Sequence, residues 1–194
     1  MLFNSIPYIL AFLPAIVITA IVARRIFGPR MAQACILTAS LLFYAHGSLA
    51  NLIYLVPSIV VNWLLARAIA QAVEPSRKNL LRIAIILNVG YLCLFKYANF
   101  VISVLPGLNR AGVQVHLAFV LGISFFTLSQ MMYLVDCYDN LLPASSLFDH
   151  ATFVAFFPYI ISGPIAKAKR MIHQFGNFGG DTIAGSEVRS RGLY

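Results

Sequence analysis

Charge is what this sequence most lacks. Asp, Glu, Lys and Arg make up 10% of its 194 residues, and only six of these are acids. A soluble domain carries about a quarter charged residues, because something must face water. Fourteen Lys and Arg, six Asp and Glu and four His do not coat a globule of this length. That excludes a soluble enzyme, a coiled coil and a disordered tail. Cysteine is scarce too: Cys35, Cys93 and Cys137 are odd in number and far apart, which fits neither a disulfide framework nor a zinc site. There is no Walker A loop, no GxSxG, no HExxH, no internal repeat and no low-complexity tract.

What is present is apolar. Hydrophobic residues reach 60%, aromatics 13% and the mean hydropathy +0.84, the composition of an integral membrane protein. The net charge of +8 would suggest nucleic acid in a soluble chain. Here the bases sit in short clusters between apolar runs, as positive-inside loops do. The partner that this pattern predicts is the lipid bilayer, not nucleic acid.

A helix needs about 20 mostly apolar residues to cross the hydrocarbon. Leu2 to Ala23 is the first such run, ended by Arg24-Arg25 and Gly28-Pro29-Arg30. It is too long and too poor in leading bases for a cleavable signal. Met31 to Ala50 is the second; Asn51 to Ala66, closed by Arg67 and carrying Trp63 like an interface anchor, is the third. Ile83 to Phe95 is the fourth, extendable to Leu105, and Leu117 to Val135 the fifth. The loops after the first and third runs hold Arg24, Arg25, Arg30, Arg67, Arg77, Lys78 and Arg82. The turn around His46-Gly47-Ser48 holds no Lys or Arg, so the charge bias puts the N-terminus outside.

The sixth run, Ala151 to Ala166, breaks the alternation. Asp136 to His150 is already on the cytoplasmic side, yet Lys167, Lys169 and Arg170 follow the run and want that side too. The run is short and holds Pro158, Ser162 and Gly163-Pro164, each able to bend or free a helical backbone. It reads as re-entrant, with a tilted ordinary span as the alternative. The expected fold is therefore an all-α polytopic membrane protein, about five transmembrane helices plus a re-entrant segment. Residues 1–175 form its membrane part and 176–194 a loop.

Polar groups within spans are costly and usually face the bundle interior. On the fifth helix Gly122, Phe126, Ser129, Tyr133 and Asp136 share one face, and Ser124, Thr127 and Met131 roughly the opposite one. Close helix packing and a tunnel lining both explain them. Asp136 and Asp139 lie against the dipole preference of that helix end, which invites a partner such as Lys167, Lys169 or Arg170. Lys96 either snorkels to the outer interface or serves a site. His46, His116, His150 and His173 fall in loops or at span ends, none deep within a span with a plausible acid or nucleophile at helical spacing.

Several runs together resemble the membrane-bound O-acyltransferase (MBOAT) family, in its bacterial branch of alginate O-acetyltransferases and teichoic-acid D-alanyl transferases. They are Ser40-Leu41-Leu42-Phe43-Tyr44-Ala45, Phe95-Lys96-Tyr97-Ala98-Asn99-Phe100 and Gly122-Ile123-Ser124-Phe125-Phe126. Tyr133-Leu134-Val135-Asp136-Cys137-Tyr138, Phe153-Val154-Ala155-Phe156-Phe157-Pro158 and Ser162-Gly163-Pro164-Ile165 complete the set. Order and spacing over Met1 to about Phe175 place the likeness nearest the alginate-acetylation members. The loop from Gly176 to Ser190 is this sequence's own, and Arg191 to Tyr194 resembles the start of the family's next membrane helix, cut off.

The resemblance implies a bacterial inner-membrane protein with about twice this many spans around a funnel. Such proteins pass an acyl group, here expected to be acetyl, from a cytoplasmic donor to hydroxyls of an exported polysaccharide such as alginate or to a periplasmic accepting protein. The donor is a co-substrate, an acyl-coenzyme A or acyl-carrier thioester, and no cofactor is bound. The family's nearly invariant His lies beyond Tyr194, so no catalytic residue is assigned here and the chain alone is expected to be inactive. Tunnel or motif candidates are Lys96, Ser124, Ser129, Tyr133, Asp136, Pro158, Gly163 and Pro164. Two other readings, a transporter or channel fragment and a non-catalytic scaffold, fit less: there are no inverted repeats, and polar helix faces are unneeded in a scaffold.

Overall fold

Gly28, at φ +92°, turns the chain after the first basic pair, a backbone angle that L side chains rarely adopt. In this computed structural model, which describes residues 8–104, 120–160 and 168–176, a π-helical turn (Tyr8–Phe12) leads into α1 (Leu13–Phe27). α2 (Pro29–Gly47) returns beside it, opened by a proline whose missing N–H costs nothing in the first turn. Ser48 then caps α3 (Leu49–Gln71), its hydroxyl accepting from the Ala50 amide. α4 (Ser76–Val104) follows. α5 (Ile123–Tyr138) begins after Gly122, whose φ of +71° cannot continue a helix backwards. Two short helices, α6 (Leu147–Ala155) and α7 (Phe157–Ile160), precede α8 (Ala168–Gly176). Among the described residues there is no strand, and the all-α expectation holds.

Among the described residues three stretches are long and apolar enough to cross a membrane: Leu10–Phe27, Leu49–Gln71 and Ser76–Lys96. The other two expected spans are helices packed between them, α2 against α1 and α3, and α5 against α3 and α4. α2 is diluted by Arg30, Gln33, Ser40 and His46, and α5 has only 16 residues. Boundaries differ where helices outrun their apolar stretch. α3 continues past Ala66 to Gln71, and α4 already includes Arg77, Lys78 and Arg82 in its first two turns. Long basic side chains reach water from inside a helix, so a charge does not have to end one. The fifth helix starts at Ile123 rather than Leu117 because of Gly122; residues 117–119 lie outside the described set.

Burial is inverted relative to a soluble protein. Ile18, Ile53 and Ile86 are exposed, whereas Gln33, Asn62, Asn88, Gln130 and His150 are buried. This is the distribution of a bundle whose solvent is hydrocarbon. Asn62 on α3 and Asn88 on α4 exchange two amide hydrogen bonds, 3.2 and 2.7 Å, and each also donates to a carbonyl one turn back. Gln130 on α5 joins by donating to Ser58 at 3.3 Å. The main apolar core, around Tyr44, Leu55, Phe126, Tyr133 and Phe153, lies between α2, α3, α5 and α6.

Candidate functional site

The segment that the sequence marks as irregular is a broken helix seated against α2. Ser146 caps α6 by accepting from the Asp149 amide at 3.1 Å, while its hydroxyl donates to Asp149 Oδ2 at 2.6 Å. The first bond satisfies an amide that a helix start leaves open, and the second fixes the carboxylate. Asp149 Oδ1 accepts from Arg30 at 2.6 Å and from Gln33 at 2.8 Å, and Gln33 also donates to Thr152 at 3.2 Å. Burial alone would raise the Asp149 carboxyl. Hydrogen bonds from Ser146, Gln33 and Arg30, with the Arg30 charge, outweigh it and hold the carboxyl below its ordinary value.

α6 stops at Ala155. A continuous helix would drive the Pro158 ring into the Val154 carbonyl. Phe156, at φ −52° and ψ 109°, leaves the helical path instead, and α7 restarts with Pro158 in its first turn. The freed Phe157 N–H donates to Ser40 Oγ at 3.3 Å, and Ser40 donates to the Ile36 carbonyl at 2.7 Å. The Phe157 ring packs on Tyr8, Phe12 and Phe43. From Gln33 to Ser40 is seven residues of α2, so the chain advances about 10 Å along that helix before it breaks. α8 packs on α2, α5 and α6, and Phe175 meets Phe156 edge-on at 5.7 Å. Ser162, Gly163, Pro164 and Lys167, which belong to the same motif and its flank, lie outside the described residues.

The loop between α5 and α6 is pinned from both sides. The Trp63 indole N–H donates to the Ser145 carbonyl at 3.0 Å, and the Ser145 amide donates to the Tyr133 hydroxyl at 2.9 Å. Trp63, expected from its position to be an interface anchor, thus bonds to protein, with Arg67 over its ring at 4.9 Å. Arg77, from the start of α4, donates to the Cys137 carbonyl at 3.1 Å, to the Tyr138 carbonyl and to Asn140 Oδ1 at 2.7 Å. A cation from α4 therefore sits at the α5 C-terminus, as the dipole prefers. Arg30 and Arg77, from two separate basic clusters, both hold the 137–149 segment, which places those clusters at one end of the bundle.

The described tunnel and motif candidates lie on α4, α5 and α7. Tyr133 is fully buried; Ser129 and Asp136 are half-buried; Pro158 sits at the break. Lys96 is exposed, with Nζ 3.4 Å from Ser124 Oγ, so those two do meet. The face of α5 that is buried is Ile123, Phe126, Thr127, Gln130, Tyr133, Leu134 and Cys137, which splits both expected faces and adds Gln130.

His150 overturns its placement among loop residues. It lies in the first turn of α6 and is 0% exposed, its ring 4.4 Å from that of Tyr133, and neither ring nitrogen has a hydrogen-bond partner. The Ser146-x-x-Asp149 capping pattern carries that signal, since a helix from Leu147 puts His150, Phe153, Val154 and Phe157 on one face. His46 is exposed at the end of α2, and His116 lies outside the described residues.

No family model matches the chain, and no solved structure does either. Among curated proteins it is 34% identical over 203 residues to a peptidoglycan O-acetyltransferase of Helicobacter pylori, covering 90% of this chain and 38% of that protein. It is 30% identical over 185 residues to the probable alginate O-acetylase AlgI of Pseudomonas aeruginosa, covering 91% and 35%. The protein of the same name from Azotobacter vinelandii is 31% identical over 186 residues, covering 91% and 36%. The chain spans just over a third of the length of these relatives, and identity does not separate the alginate proteins from the peptidoglycan one. Over nine-tenths of its length the chain is homologous to these O-acetyltransferases, in keeping with its resemblance to the membrane-bound O-acyltransferase family.

Proposed function

We propose that the chain is the first membrane-embedded part of a bacterial inner-membrane O-acyltransferase. It passes an acyl group, acetyl in the first instance, from a cytoplasmic thioester donor to hydroxyls of an exported polysaccharide or a periplasmic accepting protein. The observation that carries the reading is the broken helix around Phe156, held by Ser40, Gln33 and Asp149, in a chain homologous to O-acetyltransferases over nine-tenths of its length. Acyl transfer to a hydroxyl needs a base within about 3 Å of that hydroxyl. His150 is sealed from any substrate. The base belongs to the two-thirds of the enzyme that this chain does not span, and residues 1–194 alone are inactive. The basic end, with Arg30, Arg77 and Asp149, faces the cytoplasm and the N-terminus faces the periplasm.

The test is a chimera. In the Helicobacter pylori peptidoglycan O-acetyltransferase, the aligned third is replaced by this chain and expressed in cells lacking the native enzyme; polymer-bound acetyl ester is then measured. The chimera is expected to restore ester, and residues 1–194 alone to leave it at background. Ester formed by the 194-residue chain alone, and lost in His46→Ala or His150→Ala, would place the base in this part and overturn the reading.

A further inference from the structure

Polar side chains cross the bundle from α4 to α5 as one buried seam. Asn88 and Asn62 exchange amide hydrogen bonds, Asn62 donates to the Ser58 carbonyl at 2.9 Å, and Ser58 Oγ accepts from Gln130 at 3.3 Å. The seam ends at Gln130 Oε1, an acceptor that is sealed from solvent and has no partner. One turn earlier on α5 the Thr127 hydroxyl is in the same condition. Residues three apart on a helix have Cβ atoms about 5–6 Å from each other, so the two side chains are neighbours. One turn later on the same ridge comes Tyr133, and His150 of α6 lies against its ring at 4.4 Å. Both His150 nitrogens are sealed and unpartnered too. A neutral imidazole has one N–H and one lone pair. The seam therefore offers an acceptor and α6 a donor, on neighbouring turns of α5, and the two do not bond directly. Groups buried in that state carry their full desolvation penalty. Protein interiors relieve it with ordered water, on the order of one molecule per 27 residues. Nothing larger is complementary here, because packing closes these atoms off from lipid and from any further helix.

We propose that an internal water joins His150 to Gln130. It accepts from an imidazole N–H and donates its two hydrogens to Gln130 Oε1 and Thr127 Oγ1, three bonds in all, the usual number for a buried water. The water carries the seam to a fourth helix. α6 is then tied to α3, α4 and α5 through His150, as it is tied to α2 through Asp149. The same bond settles which imidazole nitrogen keeps the proton. This proposal uses no part of the acyl-transfer reading, so either can fail alone.

Water-edited solid-state NMR tests it on residues 1–194 in phosphatidylcholine bilayers. His46, His116 and His173 are changed to Gln, which leaves His150 as the sole imidazole, and histidine is labelled with 15N. Magnetisation started on water protons is expected to reach the His150 N–H at short mixing times. The transfer should fall at least about threefold in Gln130→Met, which keeps the length of the side chain and drops its oxygen. Thr127→Val, which conserves shape, should lower it too. Thermal unfolding in detergent supplies a second readout, a cycle of His150→Phe and Gln130→Met. The double variant is expected to be destabilised at least about threefold less, in the unfolding constant, than the product of the two single effects. A parent protein whose His150 receives no magnetisation from water would overturn the proposal. So would a transfer that Gln130→Met leaves unchanged, or a cycle that shows no coupling.

Discussion

Arg30 and Asp149, 119 positions apart in the chain, meet at 2.6 Å and tie the start of α2 to the first turn of α6. The two ends of that contact are not equivalent. The Arg30 side chain is 66% exposed and that of Asp149 only 14%, and Asp149 also accepts from Gln33 and Ser146. Exposed ion pairs contribute little, whereas removing a partly buried carboxylate strands several donors. Asp149→Ala is expected to cost about 2–3 kcal/mol and Arg30→Ala less than about 1 kcal/mol. Thermal unfolding in detergent measures both; equal losses would show that the ion pair, not the hydrogen bonds, carries the joint.

Ser40 is the acceptor that the helix break requires. Ser40→Ala leaves the Phe157 N–H buried without a partner, at a cost of about 1–3 kcal/mol. Hydrogen exchange at Phe157 should accelerate in the variant while exchange in α3 and α4 stays as it was. Unchanged protection at Phe157 would mean that the break is held by packing alone.

His150 gives the fold a predictable pH dependence. It lies at the basic end, in the first turn of α6, and burial pushes its pKa down to about 3 from an unfolded value of ~6.5. The folded state therefore excludes a proton that the unfolded chain takes up. Stability is complete above pH ~6.5 and declines as pH falls from there towards 3, by on the order of 2 kcal/mol at pH 5. His150→Phe should abolish this part of the decline. A variant whose unfolding temperature falls with pH as steeply as the parent's would contradict the assignment.

The Asn62–Asn88 pair predicts non-additivity. Either residue changed to Leu strands the other carboxamide among α3, α4 and α5, at about 1–2 kcal/mol. The double change to Leu removes both polar groups and should cost less than the sum of the two. Simple additivity would indicate that each amide's bond to its own helix, rather than the pair, carries the effect.

Much of this architecture is legible in the sequence because it rests on local chemistry. Gly28-Pro29 and His46-Gly47-Ser48 mark turns, apolar runs mark helices, and Pro158 inside a short apolar run marks a break within two residues of where it occurs. The site's polar contacts are not legible there, because they join residues that no local pattern connects. Gln33 and Thr152, Trp63 and Ser145, and Arg77 and the α5 carbonyls are brought together by packing. Helical periodicity locates the polar residues of α5 but does not say which face the neighbours cover. His150 escapes for a different reason: its helix begins at a capping pattern rather than at an apolar run.

The central proposal concerns topology: that the run from Ala151 to Ala166 enters the membrane beside α2 and comes back to the side it left. Paired reporter fusions, one after Asp149 and one after Arg170, test this directly, with alkaline phosphatase active only outside and a fluorescent protein active only inside. Both junctions are expected to report the cytoplasm. A periplasmic signal after Arg170, with a cytoplasmic one after Asp149, would make the segment an ordinary span and contradict the re-entrant path.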